Sequence, residues 1–140
     1  MLVCSWIKKI LSRGNEMNEK IYTENAPAAI GPYSQAVKCG NMLFMSGMIP
    51  VDPTSNTLVE SEIKVQAKQI MKNIEAVLSC AGYTVDDVVK TTCFLADIGD
   101  FAAFNEVYGE YFTSKPARSC VAVKDLPKGA LVEVEVIASK

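Results

Sequence analysis

The chain has 140 residues, 49% of them apolar and 21% charged, the composition of a folded globular protein and not of a disordered or fibrous one. Fourteen basic residues against sixteen acidic ones leave a formal charge of −2, which argues against nucleic acid as a partner, and no run approaches the roughly 20 continuous apolar residues of a membrane-spanning helix. The sequence contains no histidine, which excludes histidine triads, histidine general bases and zinc sites that need an imidazole.

Residues 1–16 form a distinct N-terminal extension. Val3, Trp6, Ile7 and Ile10 recur at helical spacing, with Lys8, Lys9 and Arg13 among them. The apolar stretch is too short and too charged for a secretory signal. A membrane-surface helix remains open, as does a disordered extension or an upstream start with Met17 as the functional initiator. The five cysteines, at 4, 39, 80, 93 and 120, are odd in number and lack a C-x-x-C pair, so they are expected to be reduced thiols of a cytoplasmic chain. Cys80 and Cys93, inside apolar periodic runs, are expected to be buried.

From Lys20 the elements can be taken in order. Residues 20–23 read as a short strand, and 25–32, rich in Ala, Pro and Gly, as an extended loop. Residues 36–39 and 42–46 are strand-like and flank a hairpin turn at Gly40-Asn41; residues 50–57 read as loop. Ile63, Ala67, Ile70, Ile74, Val77 and Ala81 repeat at helical steps, with Ser61 as the expected N-cap and Gly82 as the stop. Residues 88–96 form a β-branched run leading to Asp100, the expected cap of a second helix carrying Phe101, Phe104, Tyr108 and Tyr111. Residues 118–123 and 131–137 alternate with period two, and Pro127-Lys128-Gly129 makes the turn between them.

This order predicts an α/β (α+β) domain over 17–140: a mixed sheet with both helices packed on one face and the other face left for a partner. In the last strand Val132, Val134 and Val136 are expected to face the helices, sending Glu133, Glu135 and Ile137 to the open side. In the strand before it, Ser119, Val121 and Val123 are expected to face the helices, which places Arg118 and Glu135 together on the open face, in a polar cleft of a subunit interface.

Arg118 follows Pro116-Ala117 and has the planar fork that suits a carboxylate; a surface ion pair is the equally weighted alternative. Glu135 can hold or activate a water where no histidine is present, although from the residues alone a solvated edge-strand carboxylate is the favoured reading, as it is for Glu133. Tyr33 offers a phenol at the end of Gly31-Pro32-Tyr33-Ser34, Ser46-Gly47 could present backbone donors, and Asn105 lies on the polar side of the second helix. A packing aromatic, a simple turn and an exposed amide are the plain readings of those three.

Five segments in order resemble one family: Ala26-Pro-Ala-Ala-Ile-Gly-Pro-Tyr33, Ser46-Gly47-Met48-Ile49-Pro50, Pro116-Ala-Arg-Ser-Cys120, Leu126-Pro127-Lys128 and Val132-Glu-Val-Glu-Val-Ile-Ala138. They are similar to the RidA-type (YjgF-like) reactive intermediate deaminases. The resemblance implies a chorismate-mutase-like fold, a homotrimer with sites between subunits, and cofactor-independent hydrolysis of 2-iminopropanoate and 2-iminobutanoate to 2-keto acids and ammonia. It implies a functional link to pyridoxal-phosphate-dependent serine and threonine dehydratases, which release such imines. By position, Arg118 would grip the substrate carboxylate and Glu135 would place the water. Cys120 would act mainly through its backbone amide, and Tyr33, Ser46, Gly47 and Asn105 would shape the pocket. Met48 stands where relatives often carry Gln, which implies a shifted substrate preference. A non-catalytic ligand-binding trimer acting as regulator or chaperone is the alternative reading, and ribonuclease activity a disfavoured third.

Overall fold

The computed structural model describes residues 18–140; the extension at 1–16 lies outside the described residues. The strands are β1 (Glu19–Ile21), β2 (Ala36–Cys39), β3 (Met42–Met45), β4 (Val51–Asp52), β5 (Thr57–Leu58), β6 (Val88–Leu95), β7 (Ala117–Ala122) and β8 (Val132–Ser139). The helices are α1 (Ile63–Ala81) and α2 (Phe101–Tyr111). Six strands form one mixed sheet in the order β1-β2-β3-β8-β6-β7, in which only β6 and β7 run parallel. The fold class is the expected α+β arrangement.

The helix face of the sheet is apolar because β-strand alternation and helical periodicity agree there. Val132, Val134 and Val136 of β8, Thr91, Cys93 and Leu95 of β6, and Leu43 of β3 are at most 1% exposed. They meet Ala67, Ile70, Ile74 and Val77 of α1 and Phe104 and Val107 of α2 in one core. Each large aliphatic side chain buried in this way contributes about 1.5–3 kcal/mol. Cys93 is buried as expected, whereas Cys80 is only partly so. Among the described residues no helix is long and apolar enough to cross a membrane.

Local details refine the reading of the sequence. Glu62, not Ser61, caps α1: its longer side chain accepts hydrogen bonds from the backbone N–H of Lys64 at 3.0 Å and of Val65 at 2.9 Å. Gly82 ends the helix with φ 84°, a left-handed conformation that costs an L side chain energy. Asp100 does stand at the N-cap of α2, but its side chain caps nothing; the preceding turn is held by Asp97, which accepts from Gly99 N at 2.8 Å. The 50–57 segment is not plain loop, because β4 and β5 pair there as a small hairpin.

That hairpin is tied to α1 by a buried amide. Asn73 is 1% exposed, and its Nδ2 donates to the carbonyl of Val51 at 3.0 Å and of Ile49 at 3.3 Å. Asn73→Ala strands those acceptors, and the expected cost is about 1–3 kcal/mol. A urea titration should show a lower midpoint at unchanged slope.

Candidate functional site

The parallel register of β6 and β7 pairs Thr91 with Arg118 and Cys93 with Cys120. Thr91 and Cys93 face the helices, so Arg118 and Cys120 do too, and Ser119 and Val121 point to the open side. This reverses the expectation that Ser119, Val121 and Val123 face the core; Val121 is 47% exposed. The physical reason is that β7 is an edge strand, where little burial enforces the apolar side, so the register with β6 selects the face and the Arg118 side chain is accommodated against α2. Arg118 and Glu135 therefore lie on opposite faces of the sheet, with β6 between their strands, and do not share a hollow within one chain.

Arg118 sits in a half-buried cluster built by α2. Its Nη1 donates to Asn105 Oδ1 at 2.6 Å, and its guanidinium carbon lies 4.6 Å from the ring centre of Tyr108 and 5.5 Å from that of Phe101. Asn105 is thus no idle surface amide: it takes one donor of the fork and orients the rest. The surface ion pair weighed for Arg118 is absent among the described residues. Burial pushes the Cys120 thiol up, with the Arg118 charge acting in the opposite direction, and burial pushes the Cys93 thiol up to about 12. Both thiols stay protonated at neutral pH and are poor nucleophiles.

The open face carries the second half. Tyr33, Ser46, Gly47, Glu133 and Glu135 line a cleft of about 460 Å³, walled by Ala28 and Ile30 on one side and Pro127 and Lys128 on the other. The wall is fixed by Gln35, a residue the sequence did not single out. Gln35 is 3% exposed; its Nε2 donates to the carbonyls of Thr23, Pro27 and Ala26, and its Oε1 accepts from Thr23 N at 2.7 Å. Ser46 Oγ donates to Ser34 O at 2.6 Å, fastening the end of β3 to the loop that presents Tyr33. Met48 is 4% exposed and pairs through its backbone with Val134, so it forms the apolar floor of the cleft and not a polar mouth.

The two carboxylates differ in burial, and it is Glu133, read from the sequence as a solvated edge carboxylate, that lies deeper. Glu135 is exposed, whereas Glu133 is half-buried against Gly47. A Cβ on residue 47 would lie 1.9 Å from Glu133 Oε1, so any other residue there would push this carboxylate from its position. Burial raises the pKa of Glu133, and the Glu135 charge raises it further. Both glutamates alternate to the same face of β8, so the pattern alone could not rank them; depth against Gly47 does.

The raised pKa has a defined sign in stability. Within the window between the ordinary glutamate pKa of about 4.3 and the folded value, the folded chain holds a proton the unfolded chain has lost, so stability falls as pH rises. Glu133→Gln should therefore melt higher than the parent protein near neutral pH. The difference should close as pH drops below the ordinary glutamate pKa, as followed by thermal melts across pH.

Comparison with known proteins agrees with this arrangement. A family model described as Endoribonuclease L-PSP matches residues 23–140. The chain is 55% identical over 125 residues to a RutC family protein of Pyrococcus horikoshii, covering 89% of this chain and 99% of that one. It is 48% identical over 126 residues to a protein of Escherichia coli named 2-iminobutanoate/2-iminopropanoate deaminase, covering 87% and 98%. The crystal structure of E. coli TdcF with bound serine superposes with a TM-score of 0.83 at 42% identity, again over 87% and 98% of the two chains. With a family model matching most of the chain, relatives at 48–55% identity and a shared fold, the chain belongs to the Endoribonuclease L-PSP family, the YjgF/RidA proteins.

Proposed function

We propose that this protein hydrolyses 2-imino acids, 2-iminopropanoate and 2-iminobutanoate among them, to the 2-keto acid and ammonia, and that Glu133 takes the part first expected of Glu135. The observation that carries the reading is the pair of complementary half-sites: a guanidinium prepared for a carboxylate, and a cleft that desolvates one carboxyl group against Gly47. Naming of a relative at 48% identity as such a deaminase supports it. TdcF was solved with serine bound, and an amino acid offers the same α-carboxylate that Arg118 would hold.

The half-sites lie on opposite faces, so they complete one another between chains. The uncovered face supports this: Phe44 is 44% and Val121 47% exposed, and Phe44 pairs with Ile137 in a sheet with no covering layer there. Exposed apolar side chains on a face that also carries Glu133 and Glu135 suit a subunit interface containing a polar cleft. In the homotrimer we propose, Arg118 of one chain reaches the Glu133 cleft of the next. Arg118 binds the carboxylate of the imine by paired hydrogen bonds. Glu133 takes one proton from water as the oxygen adds to C2 and delivers it to the nitrogen, giving a carbinolamine. As the C–N bond breaks, the remaining hydroxyl proton passes through the same carboxylate to the nitrogen, so that C2=O forms and ammonia leaves. A carboxyl group with a raised pKa serves both transfers. Water supplies the oxygen and the reaction needs no cofactor. Serine and threonine dehydratases would supply the substrate.

The ribonuclease description of the family fits this chain less well. The sequence has no histidine, and Glu133 and Glu135 both line the cleft, where they would repel a phosphate backbone.

Added to a serine or threonine dehydratase, the protein should speed ammonia release. Arg118→Ala should lower kcat/KM by about 100-fold or more while the fold still melts cooperatively, because a hydrogen-bonded charge is lost from a desolvated contact. Lysine at 118 should restore little, since it lacks the fork. Persistence of the acceleration in Arg118→Ala would refute the carboxylate grip, and saturable ligand binding without turnover would instead favour the non-catalytic reading. Gly47→Ala should displace Glu133 and abolish turnover with a far smaller effect on the melt.

A further inference from the structure

The Arg118 cluster contains a polar pair that the fold itself does not require. Tyr108 is 8% and Thr91 0% exposed, and their hydroxyls meet at 2.7 Å inside a largely apolar part of the core, with the Cys93 thiol 4.0 Å from the Thr91 hydroxyl. A phenylalanine and a valine would fill the same space, and replacing both partners of a buried hydrogen bond by apolar isosteres is close to neutral for stability. What the bond adds is a fixed position. Tyr108 belongs to α2 and Thr91 to β6, so the contact locks the helix onto the strand at one point. The phenol ring is also held between Phe104 and Phe112, with ring centres 5.7 and 4.6 Å away. Arg118 lies over that ring at 4.6 Å, and Asn105, three residues earlier on the same helix, takes Nη1. Thr91 therefore acts on Arg118 twice: its backbone is the cross-strand partner, and its hydroxyl anchors the platform.

We infer that Thr91 and Tyr108 are positioning residues for Arg118, fixing the angle at which the donors not taken by Asn105 meet a substrate carboxylate. The inference rests on the deaminase reading for its substrate but on the hydroxyl contact for its geometry. A lost neutral hydrogen bond that loosens one guanidinium should appear in binding more than in turnover.

The test uses the full chain and the variants Thr91→Val, Thr91→Ser, Tyr108→Phe and the Thr91→Val/Tyr108→Phe pair. Thr91→Val and Tyr108→Phe are each expected to raise KM for dehydratase-generated imine by roughly three- to ten-fold with kcat moved less. The double variant should be no worse than the poorer single one, and Thr91→Ser, which keeps the hydroxyl, should behave as the parent. The dissociation constant of 2-oxobutanoate, measured by calorimetry, should follow the same order. If KM and the dissociation constant stay at parent values in Thr91→Val and Tyr108→Phe while Arg118→Ala loses both, the positioning role is wrong and the deaminase reading stands. If the parent binds 2-oxobutanoate but turns over no imine, the deaminase reading fails and the dissociation constants alone judge the positioning role. Absence of both binding and turnover in the parent overturns the two together. Equal effects of Thr91→Ser and Thr91→Val, matched by equal losses in melting temperature, reduce the pair to a packing role.

Discussion

Thr91 pairs with Arg118 across one strand boundary and with Val136 across the other, and the placement of the Arg118 guanidinium depends on that pairing. Because side chains alternate along a strand, a shift of one residue in the β6–β7 register would turn Arg118 from the aromatic bed of α2 to the open face. It would bring Ser119 into the core at the same time. The register is held from both sides: β6 is the strand with the fullest pairing, and Thr91 is anchored by the hydroxyl of Tyr108. The apolar core and the placement of the guanidinium are consequences of one alignment.

The two half-sites illustrate different means of handling charge out of water. The Arg118 guanidinium lies over two aromatic faces and donates to one amide oxygen, with no carboxylate paired to it among the described residues. Glu133 is pressed against a backbone with no side chain in the way, and its proton is held more tightly as a result. Each arrangement leaves a group better suited to a ligand than to the isolated fold. An unneutralised cation and a desolvated acid are both features that a domain shaped only by stability would lack.

Much of the fold was legible in the sequence for a definable reason. Where burial is deep, periodicity is strict: the Ile63–Ala81 repeat and the Val132-Val134-Val136 alternation each report an apolar layer directly. The β7 strand defeated the same reasoning, since the set containing Arg118 is the more polar one yet faces α2, and an edge strand carries too little burial for its apolar side to fix the face. Glu133 and Glu135 defeated it differently. They share a face, and what separates them is a contact with Gly47, a residue distant in sequence. Gln35 left no pattern at all, because its function is to complete the hydrogen bonds of an irregular loop, and such a role has no period. The family, by contrast, was visible in ordered short segments, since motif spacing survives where side-chain direction cannot be read.

Gln35 also bears on how quickly a ligand can be captured. The loop from Thr23 to Gln35 belongs to no helix and to no sheet ladder, yet a single carboxamide closes it by gathering carbonyls from three of its residues. Ordering a segment of that length at the moment of encounter would charge its lost chain entropy against affinity. Here the segment is set before anything arrives. On the proposed reading, a small acid meeting this surface finds a bank already fastened by these hydrogen bonds, so its capture should be governed by diffusion and charge, with no slow step of gate movement.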